Sequence, residues 1–288
     1  MRELGGRDIA SSISMRKGFT EVDRQADPAM LVAGMEATAQ WPAVQRLRRW
    51  ERDRLQLGSG DHVLDVGCGP GDVLAELAAL VEPDGRAVGV DASEQMLAAA
   101  AERAKSQGVA IELLTGDAAA LTFEDTSFDV VRSERTLQWV SDPARAVAEL
   151  VRVTKPGGRI CVIDTDWRTL LPDHPSPDVA RRFLDAMGTV RGDQISVGGR
   201  LVNLLRRAGV QNVEATAETH MWLDWNPDEF IAPPGMVPLR FVAKDLVDQG
   251  FLDAADADQM MDEFEQSARD GRFFVSLTMF AAAGTAPS

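Results

Sequence analysis

The chain has 288 residues, 45% of them hydrophobic, enough for one large α/β domain with an elaboration. A formal net charge of −15 opposes phosphate backbones, whose binding draws on Lys and Arg, so a nucleic-acid partner is disfavoured. Cys68 and Cys161 fall inside predicted core elements, no Cys/His cluster has metal-ligand spacing, and no apolar run is long enough to span a membrane; a cytoplasmic protein with reduced cysteines and no metal or membrane partner is expected.

Residues 1 to about 12 are polar and are assigned no role. Over residues 28–57, Met30, Leu31, Met35, Trp41, Val44, Leu47, Trp50 and Leu55 recur at a three-to-four-residue spacing, which predicts two helices. Gly58-Ser59-Gly60-Asp61 breaks the pattern and leads into a first strand at 62–66. That strand runs straight into Gly67-Cys68-Gly69-Pro70-Gly71-Asp72. A helical stripe of Val73, Leu74, Leu77, Ala78 and Val81 follows. The second strand, 87–91, ends in Asp91; Ser93 caps the next helix, whose buried face is Met96, Leu97, Ala100 and Ala104. A third strand at 111–114 runs into Gly116-Asp117-Ala118, a fourth covers 128–133, a helix covers about 143–153, and a fifth strand covers 159–164. Five strands with intervening helices make an α/β, doubly wound, Rossmann-like sheet.

Beyond Asp164 the texture changes. Residues 165–177 contain Trp167 and three prolines and read as an inserted loop. Helical patterns follow at 178–187 and 199–208, an alternating stretch at 213–225 predicts a sixth strand, 227–264 is again mostly helical, and 272–281 is a β-prone run returning to the sheet. The expected organisation is an N-terminal helical cap (1–57), a ligand-binding core (58–165), substrate-covering insertions including the sixth strand (166–271), and a final strand with tail (272–288).

The glycine loop carries the chemistry. Its spacing is Gly67-x-Gly69-x-Gly71, and Asp72 stands where a dinucleotide fingerprint has its third glycine. A carboxylate there opposes a pyrophosphate at the helix N-terminus and suits a cationic ligand, such as S-adenosylmethionine; it also suits the helix dipole by itself. Asp91, at the end of the neighbouring strand, can accept hydrogen bonds from both hydroxyls of a ribose, and Asp117 can accept from an adenine amino group. Three acids on consecutive strand ends, on the side where α/β sheets bind ligands, form a constellation.

VLDVGCGPGD at 63–72, GVDAS at 89–93, GDAAALTFEDTSFDVV at 116–131 and LVRVTKPGGRICVID at 150–164 together resemble the successive motifs of class I S-adenosylmethionine-dependent methyltransferases, particularly the ubiquinone/menaquinone-type and small-molecule branch. The resemblance covers roughly residues 60–165. It implies that Asp65, Gly67 and Gly69 line the methionine end, Asp91 the ribose, Met96 the adenine face, and Asp117 with Ala118 the adenine edge, with Ala92 a further cofactor contact. Ser133 and Glu134 would lie near the ammonium and the transferring methyl. It also implies a seventh strand inserted antiparallel beside the fifth.

Methyl transfer is an in-line displacement at an activated donor, so proximity can supply much of the catalysis. A general base helps when the acceptor is a phenol or alcohol; His220, His174 and Glu134 are candidates, each with an ordinary structural alternative. His62 opens the first strand at the end away from the ligand and reads as structural. Arg135 and Gln138 can orient a polar acceptor. Phe19, Trp41, Trp167, Phe183, Met187, Met221, Trp222, Trp225, Phe230, Met236 and Phe241 are spread over the segments that would cap the sheet. They suggest a pocket for a small, largely apolar metabolite such as a polyketide or quinone precursor, or simply the insertions' own core. A protein that binds the cofactor for another reaction, and an NAD-dependent oxidoreductase, remain alternatives; the chain is expected as a monomer or homodimer.

Overall fold

The computed structural model describes Asp23, residues 28–227 and residues 239–288. Phe19, Phe230 and Met236 of the expected pocket lining lie outside the described residues, as does the side chain of Phe241.

Two helices, α1 (Pro28–Ala39) and α2 (Pro42–Leu55), precede the first strand, and Pro42 opens α2 at a position where a missing N–H costs nothing. Then come β1 (His62–Val66), α3 (Asp72–Val81), β2 (Arg86–Asp91), α4 (Glu94–Gln107), β3 (Glu112–Thr115), β4 (Phe128–Glu134), α5 (Pro143–Val153) and β5 (Thr154–Pro172). Ser93 caps α4 by accepting from the Met96 N–H at 3.2 Å, and Asp142 caps α5 by accepting from the Arg145 N–H at 3.0 Å. The second half contributes α6 (Pro177–Arg191), α7 (Val197–Arg207), β6 (Gln211–Trp222), α8 (Leu239–Asp248), α9 (Ala254–Arg269) and β7 (Val275–Thr285).

The seven strands form one sheet in the order β3-β2-β1-β4-β5-β7-β6. β1 to β5 run parallel, and β7 lies antiparallel between β5 and β6. The run at 165–177, expected to be a loop, is instead largely strand. β5 continues past Asp166, pauses in an irregular stretch, and resumes pairing at Leu171–Ser276 and Pro172–Val275. Hydrogen-bond partners on β7, which sequence periodicity does not reveal, keep this segment extended.

Strand alternation sorts the two faces. Val63, Val130 and Cys161 join a core that includes Leu47 and Leu55 of α2 and Leu74 and Leu77 of α3. Leu64, Val66, Val131 and Ile160 face the other way, onto Leu150 of α5 and Leu201 of α7. Each fully buried Val or Leu contributes at most roughly 1.5–3 kcal/mol. The same alternation turns Asp65 and Arg132 toward α2, into what would otherwise be an apolar layer. No helix among the described residues is long and apolar enough to cross a membrane.

Candidate active site

The glycine loop is held in a left-handed path, with φ of 75° at Gly67, 52° at Gly69 and 72° at Gly71. Two of these glycines also permit close packing. A Cβ on Gly67 would stand 1.9 Å from Thr136 Oγ1, and one on Gly71 would stand 2.7 Å from the Ala100 Cβ. At Gly69, among the described residues, a Cβ would meet the terminal methyl of Met35 and its sulfur. The loop thus leans on the turn after β4 and on α4, and keeps its Gly69 surface for something else.

Asp91 ties this loop to the next helix. Its carboxylate accepts from the Gly69 N–H at 2.8 Å and from the Ser93 N–H at 2.9 Å. Burial pushes its pKa up, against the lowering effect of those N–H groups. Against about four lone-pair sites, the carboxylate takes the N–H groups of Gly69, Ser93 and Ala92 and keeps acceptor capacity for a hydroxyl. Beside it, Ala92 is exposed, Met96 is buried, and Asp117 is exposed with its side chain accepting from the Ala119 N–H at 2.8 Å. Ala118 is buried next to it.

Asp72 is not a free charge at the mouth of the loop. Its Oδ2 accepts from Arg48 at 2.7 Å. The expectation that this carboxylate itself selects a cationic ligand is therefore corrected: most of its field is spent on the guanidinium. Arg48 also binds Glu134, which is bonded to Arg132; Arg132 in turn binds Glu51 and Asp65. With Arg135, 3.2 Å from Glu134, three guanidiniums face four carboxylates in one cluster between α2 and the sheet. Burial pushes the Asp65 carboxyl up to about 6 despite Arg132. Burial would also raise Glu134, but Arg48, Arg135 and Arg132 outweigh it and hold it well below the usual carboxylate range.

Three residues whose expected role was ligand contact or catalysis have other partners in the structure. Asp65 is 1% exposed and bonded to Arg132, so it supports the loop from beneath. Glu134 is saturated by guanidiniums and is a poor proton acceptor. Ser133 donates its hydroxyl to the Val66 carbonyl at 2.8 Å, fastening β4 to the end of β1. Sequence inspection missed the cluster, yet a signal was present. The α2 stripe at positions 44, 48, 51 and 55 passes through Arg48 and Glu51, and opposite charges interrupt two adjacent apolar strands at Asp65 and Arg132.

At the carboxyl ends of β4 and β5 a second polar group gathers. Arg135 has a left-handed backbone, φ 55°, and the Gln138 side chain donates to its carbonyl at 3.3 Å. Trp167 donates its indole N–H to Gln138 Oε1 at 2.6 Å. Asp164, fully buried, accepts from the Gln138 N–H at 3.2 Å and from its neighbour Thr165, and burial pushes its pKa up to about 7. It anchors the turn that carries Arg135 and Gln138.

The histidines stand apart from this group. His174 accepts from the Ser176 N–H and donates to the Met260 carbonyl, both at 3.1 Å, and packs edge-on against Phe264. Both ring nitrogens are engaged, which fits a structural role. His220 lies on the edge strand β6, stacked 4.3 Å from Trp41 and edge-on to Trp222; burial, then Arg46, lowers its pKa. Cys68 and Cys161 are buried free thiols. Among the described residues no group of three or more His, Cys, Asp or Glu has metal-binding geometry.

A 3-2-1-4-5-7-6 sheet with an antiparallel seventh strand, a left-handed glycine loop after β1 and a fixed acid ending β2 are the marks of a class I S-adenosylmethionine-dependent methyltransferase. Residues 64–162 match the family model described as a methyltransferase domain. The chain is 32% identical over 234 residues to an uncharacterized 37.1 kDa protein in transposon TN4556 of Streptomyces fradiae, covering 81% of this chain and 65% of that one. It is 37% identical over 131 residues to the demethylmenaquinone methyltransferase of Bacillus cytotoxicus, covering 44% of this chain and 55% of that one. The chain thus spans less than two thirds of either relative. In fold it is similar to the phosphoethanolamine N-methyltransferase 2 of Haemonchus contortus, with a TM-score of 0.58 at 16% identity over 96% of this chain and 61% of that one.

The residues present fit S-adenosylmethionine. Among the described residues, Gly69 offers backbone surface bounded by a flexible Met35 tip, and Asp91 retains acceptor capacity for a ribose.

Proposed function

We propose that the chain transfers the methyl group of S-adenosylmethionine to a small, largely apolar metabolite, with a quinone precursor or polyketide-like scaffold as the acceptor class. The observation that carries this reading is Asp91, pinned by Gly69 and Ser93 beside the glycine loop. Gly67 and Gly69 would serve the methionine end, Asp91 and Ala92 the ribose, Met96 the adenine face, and Asp117 with Ala118 the adenine edge. Asp65 and Ser133 act from behind, by fixing the loop and β4. The cofactor supplies a methyl group on a positively charged sulfonium, so the donor needs no further activation.

The chain's own task is then orientation and exclusion of water. Arg135 and Gln138 would orient a polar group of the acceptor, with Asp164 and Trp167 holding them. Glu134 is unsuited to take a proton, and His174 is engaged at both nitrogens. A mechanism driven mainly by proximity follows. An apolar acceptor is supported by Trp41 and Trp222 at the carboxyl side of β6, by buried Phe183 and Met187 in α6, and by the likeness to a demethylmenaquinone methyltransferase. Domain boundaries near residues 57, 165 and 271 belong to the same reading.

Calorimetry with S-adenosylmethionine and with NAD tests the donor. Heat with the first alone supports the reading, and heat with NAD alone overturns it. The acceptor is tested by following S-adenosylhomocysteine formation with a panel of hydroquinones, phenolic polyketides and polar amines. Turnover confined to the amines would sink the apolar acceptor.

A further inference from the structure

The sheet order fixes which way a donor lying along the glycine loop points. Asp117 follows β3, Asp91 ends β2, Gly67 follows β1, and β4 is next in line. With the adenine edge at β3 and the ribose at β2, the far end of the donor, which carries the methyl group, faces the turn after β4. That turn already touches the loop: a Cβ on Gly67 would stand 1.9 Å from Thr136 Oγ1. The residue before Thr136 is Arg135.

Arg135 is held there in a strained conformation. Its backbone is left-handed, φ 55°, and is tied on both sides. The N–H donates to the Ile163 carbonyl at 2.7 Å, and the carbonyl accepts from the Gln138 amide at 3.3 Å. Gln138 is itself fastened by the Trp167 indole N–H at 2.6 Å. The Arg135 side chain is 15% exposed, yet its hydrogen bonding is unfinished. Nε is buried without a hydrogen bond; it stands 3.2 Å from Glu134, whose oxygens already accept from Arg48 and Arg132. The two terminal nitrogens have no hydrogen-bond partner among the described residues. The other charged groups about this guanidinium are Asp164 of β5 and, behind Glu134, Arg132 of β4 and Arg48 of α2. A guanidinium withdrawn from most water and left with unpaired donors suits an oxyanion, which answers its charge and its hydrogen bonds together.

Glu134, the nearest carboxylate, is spent on guanidiniums, and His174 is spent on Ser176 and Met260. We infer that Arg135 binds the acceptor through a phenolic hydroxyl, holds that oxygen in its ionised form, and thereby replaces a general base. The hydroxyl proton leaves to water. The phenolate oxygen then forms the new C–O bond as the C–S bond of the donor breaks, giving a methyl ether and S-adenosylhomocysteine, and the opposite charges of the two reactants vanish together. An oxyanion paired to a cation is a weaker nucleophile, so the gain is confined to hydroxyls too weakly acidic to ionise unaided. The inference rests on the reading of Gly67 and Asp91 as the donor site and names the acceptor's reacting group.

The test uses the full chain, S-adenosylmethionine and ring-substituted naphthols graded in acidity. In the wild type, kcat should rise with pH along a limb that tracks each naphthol and lies about one unit or more below its ionisation in water. Bound with S-adenosylhomocysteine in place of the donor, the same naphthols should show naphtholate absorption over the same displaced pH range. Arg135→Met should return both readouts to the range seen in water, with kcat at neutral pH falling about fivefold or more for the least acidic naphthol and little for the most acidic. Arg135→Lys, which keeps the charge and loses the fork, should fall between. Thermal midpoints within about 2 °C of wild type separate these effects from loss of folding, and the wild-type limbs and spectra decide alone should a variant fail to fold. Three results would overturn the role of Arg135 by itself: limbs at each naphthol's ionisation in water, one limb common to all naphthols, as titration of Asp164 would give, or an equal loss across the series in Arg135→Met. If the chain binds S-adenosylmethionine and turns over no naphthol, the phenolic acceptor falls and the donor reading stands. If it binds no S-adenosylmethionine, the donor site falls and the inference with it.

Discussion

Arg48 of α2 grips Glu134 at the end of β4 through two hydrogen bonds, Nε to Oε2 at 2.8 Å and the second guanidinium arm to Oε1 at 2.9 Å. Both side chains are 5% exposed, and the remaining arm of Arg48 reaches Asp72. This contact fixes α2 to both the end of β4 and the start of α3 after the glycine loop. Arg48→Met would leave Glu134 buried with less compensation and is expected to cost about 3–5 kcal/mol in urea unfolding at neutral pH. The double variant Arg48→Met/Glu134→Gln should cost less than the sum of the singles, because it removes the orphaned charge as well.

The buried acids give stability two opposite pH dependences. Asp164 has its carboxyl pushed up to about 7 by burial, above its ordinary value, so the folded state holds its proton more tightly than the unfolded chain. Its contribution is complete below the unfolded value and is lost as pH rises through about 7. Asp65, pushed up to about 6, acts in the same direction over a narrower window. Asp164→Asn should therefore flatten the decline of stability between pH 5 and pH 8, whatever its absolute level. An equal slope in both proteins, measured by denaturant midpoints across that range, would show that Asp164 does not titrate there.

Glu134 has the opposite sign. Its pKa is depressed, so its stabilisation is present above the unfolded carboxylate value and is lost as the solution is acidified past it. Glu134→Gln is expected to be less stable than wild type at neutral pH, with the gap narrowing in acid. A constant gap from neutral pH to about pH 3 would mean that packing rather than charge accounts for the loss.

Gly71 and Gly69 of the loop should divide between stability and binding. Gly71→Ala places a Cβ 2.7 Å from the Ala100 Cβ and 3.1 Å from its Cα, at φ 72°, and rigid neighbours cannot retreat; about 2–4 kcal/mol of stability should go. Among the described residues, Gly69→Ala meets the tip of Met35, and it should cost about 1–2 kcal/mol for its left-handed backbone. Its larger effect should be on S-adenosylhomocysteine affinity, lowered about tenfold or more in calorimetry. Binding retained at wild-type strength would place the ligand off the Gly69 surface.

Asp91→Ala removes an anchor of Gly69 and the acceptor assigned to the ribose. Affinity for S-adenosylmethionine should fall by about 1–3 kcal/mol. Unchanged binding heat would show that the ribose lies elsewhere.

The order of elements, the glycine loop and the acids ending β2 and β3 could be read from the chain because they are local: helical and strand periods, turn glycines and strand-end residues depend on near neighbours in sequence. Residues 60–165 also carry enough motif order in sequence alone to resemble the methyltransferase family. Four decisions needed the folded chain. The extension of β5 to Pro172 is set by β7, more than 100 residues later. The neutralisation of Asp72 by Arg48, the burial of Asp65 with Arg132, and the engagement of His174 by Met260 each depend on long-range partners. A carboxylate or imidazole in a sequence carries only a capacity to bind or to move a proton. Whether that capacity stays free for a ligand or is spent on a guanidinium or a carbonyl is decided by which side chain the tertiary fold brings within about 3 Å.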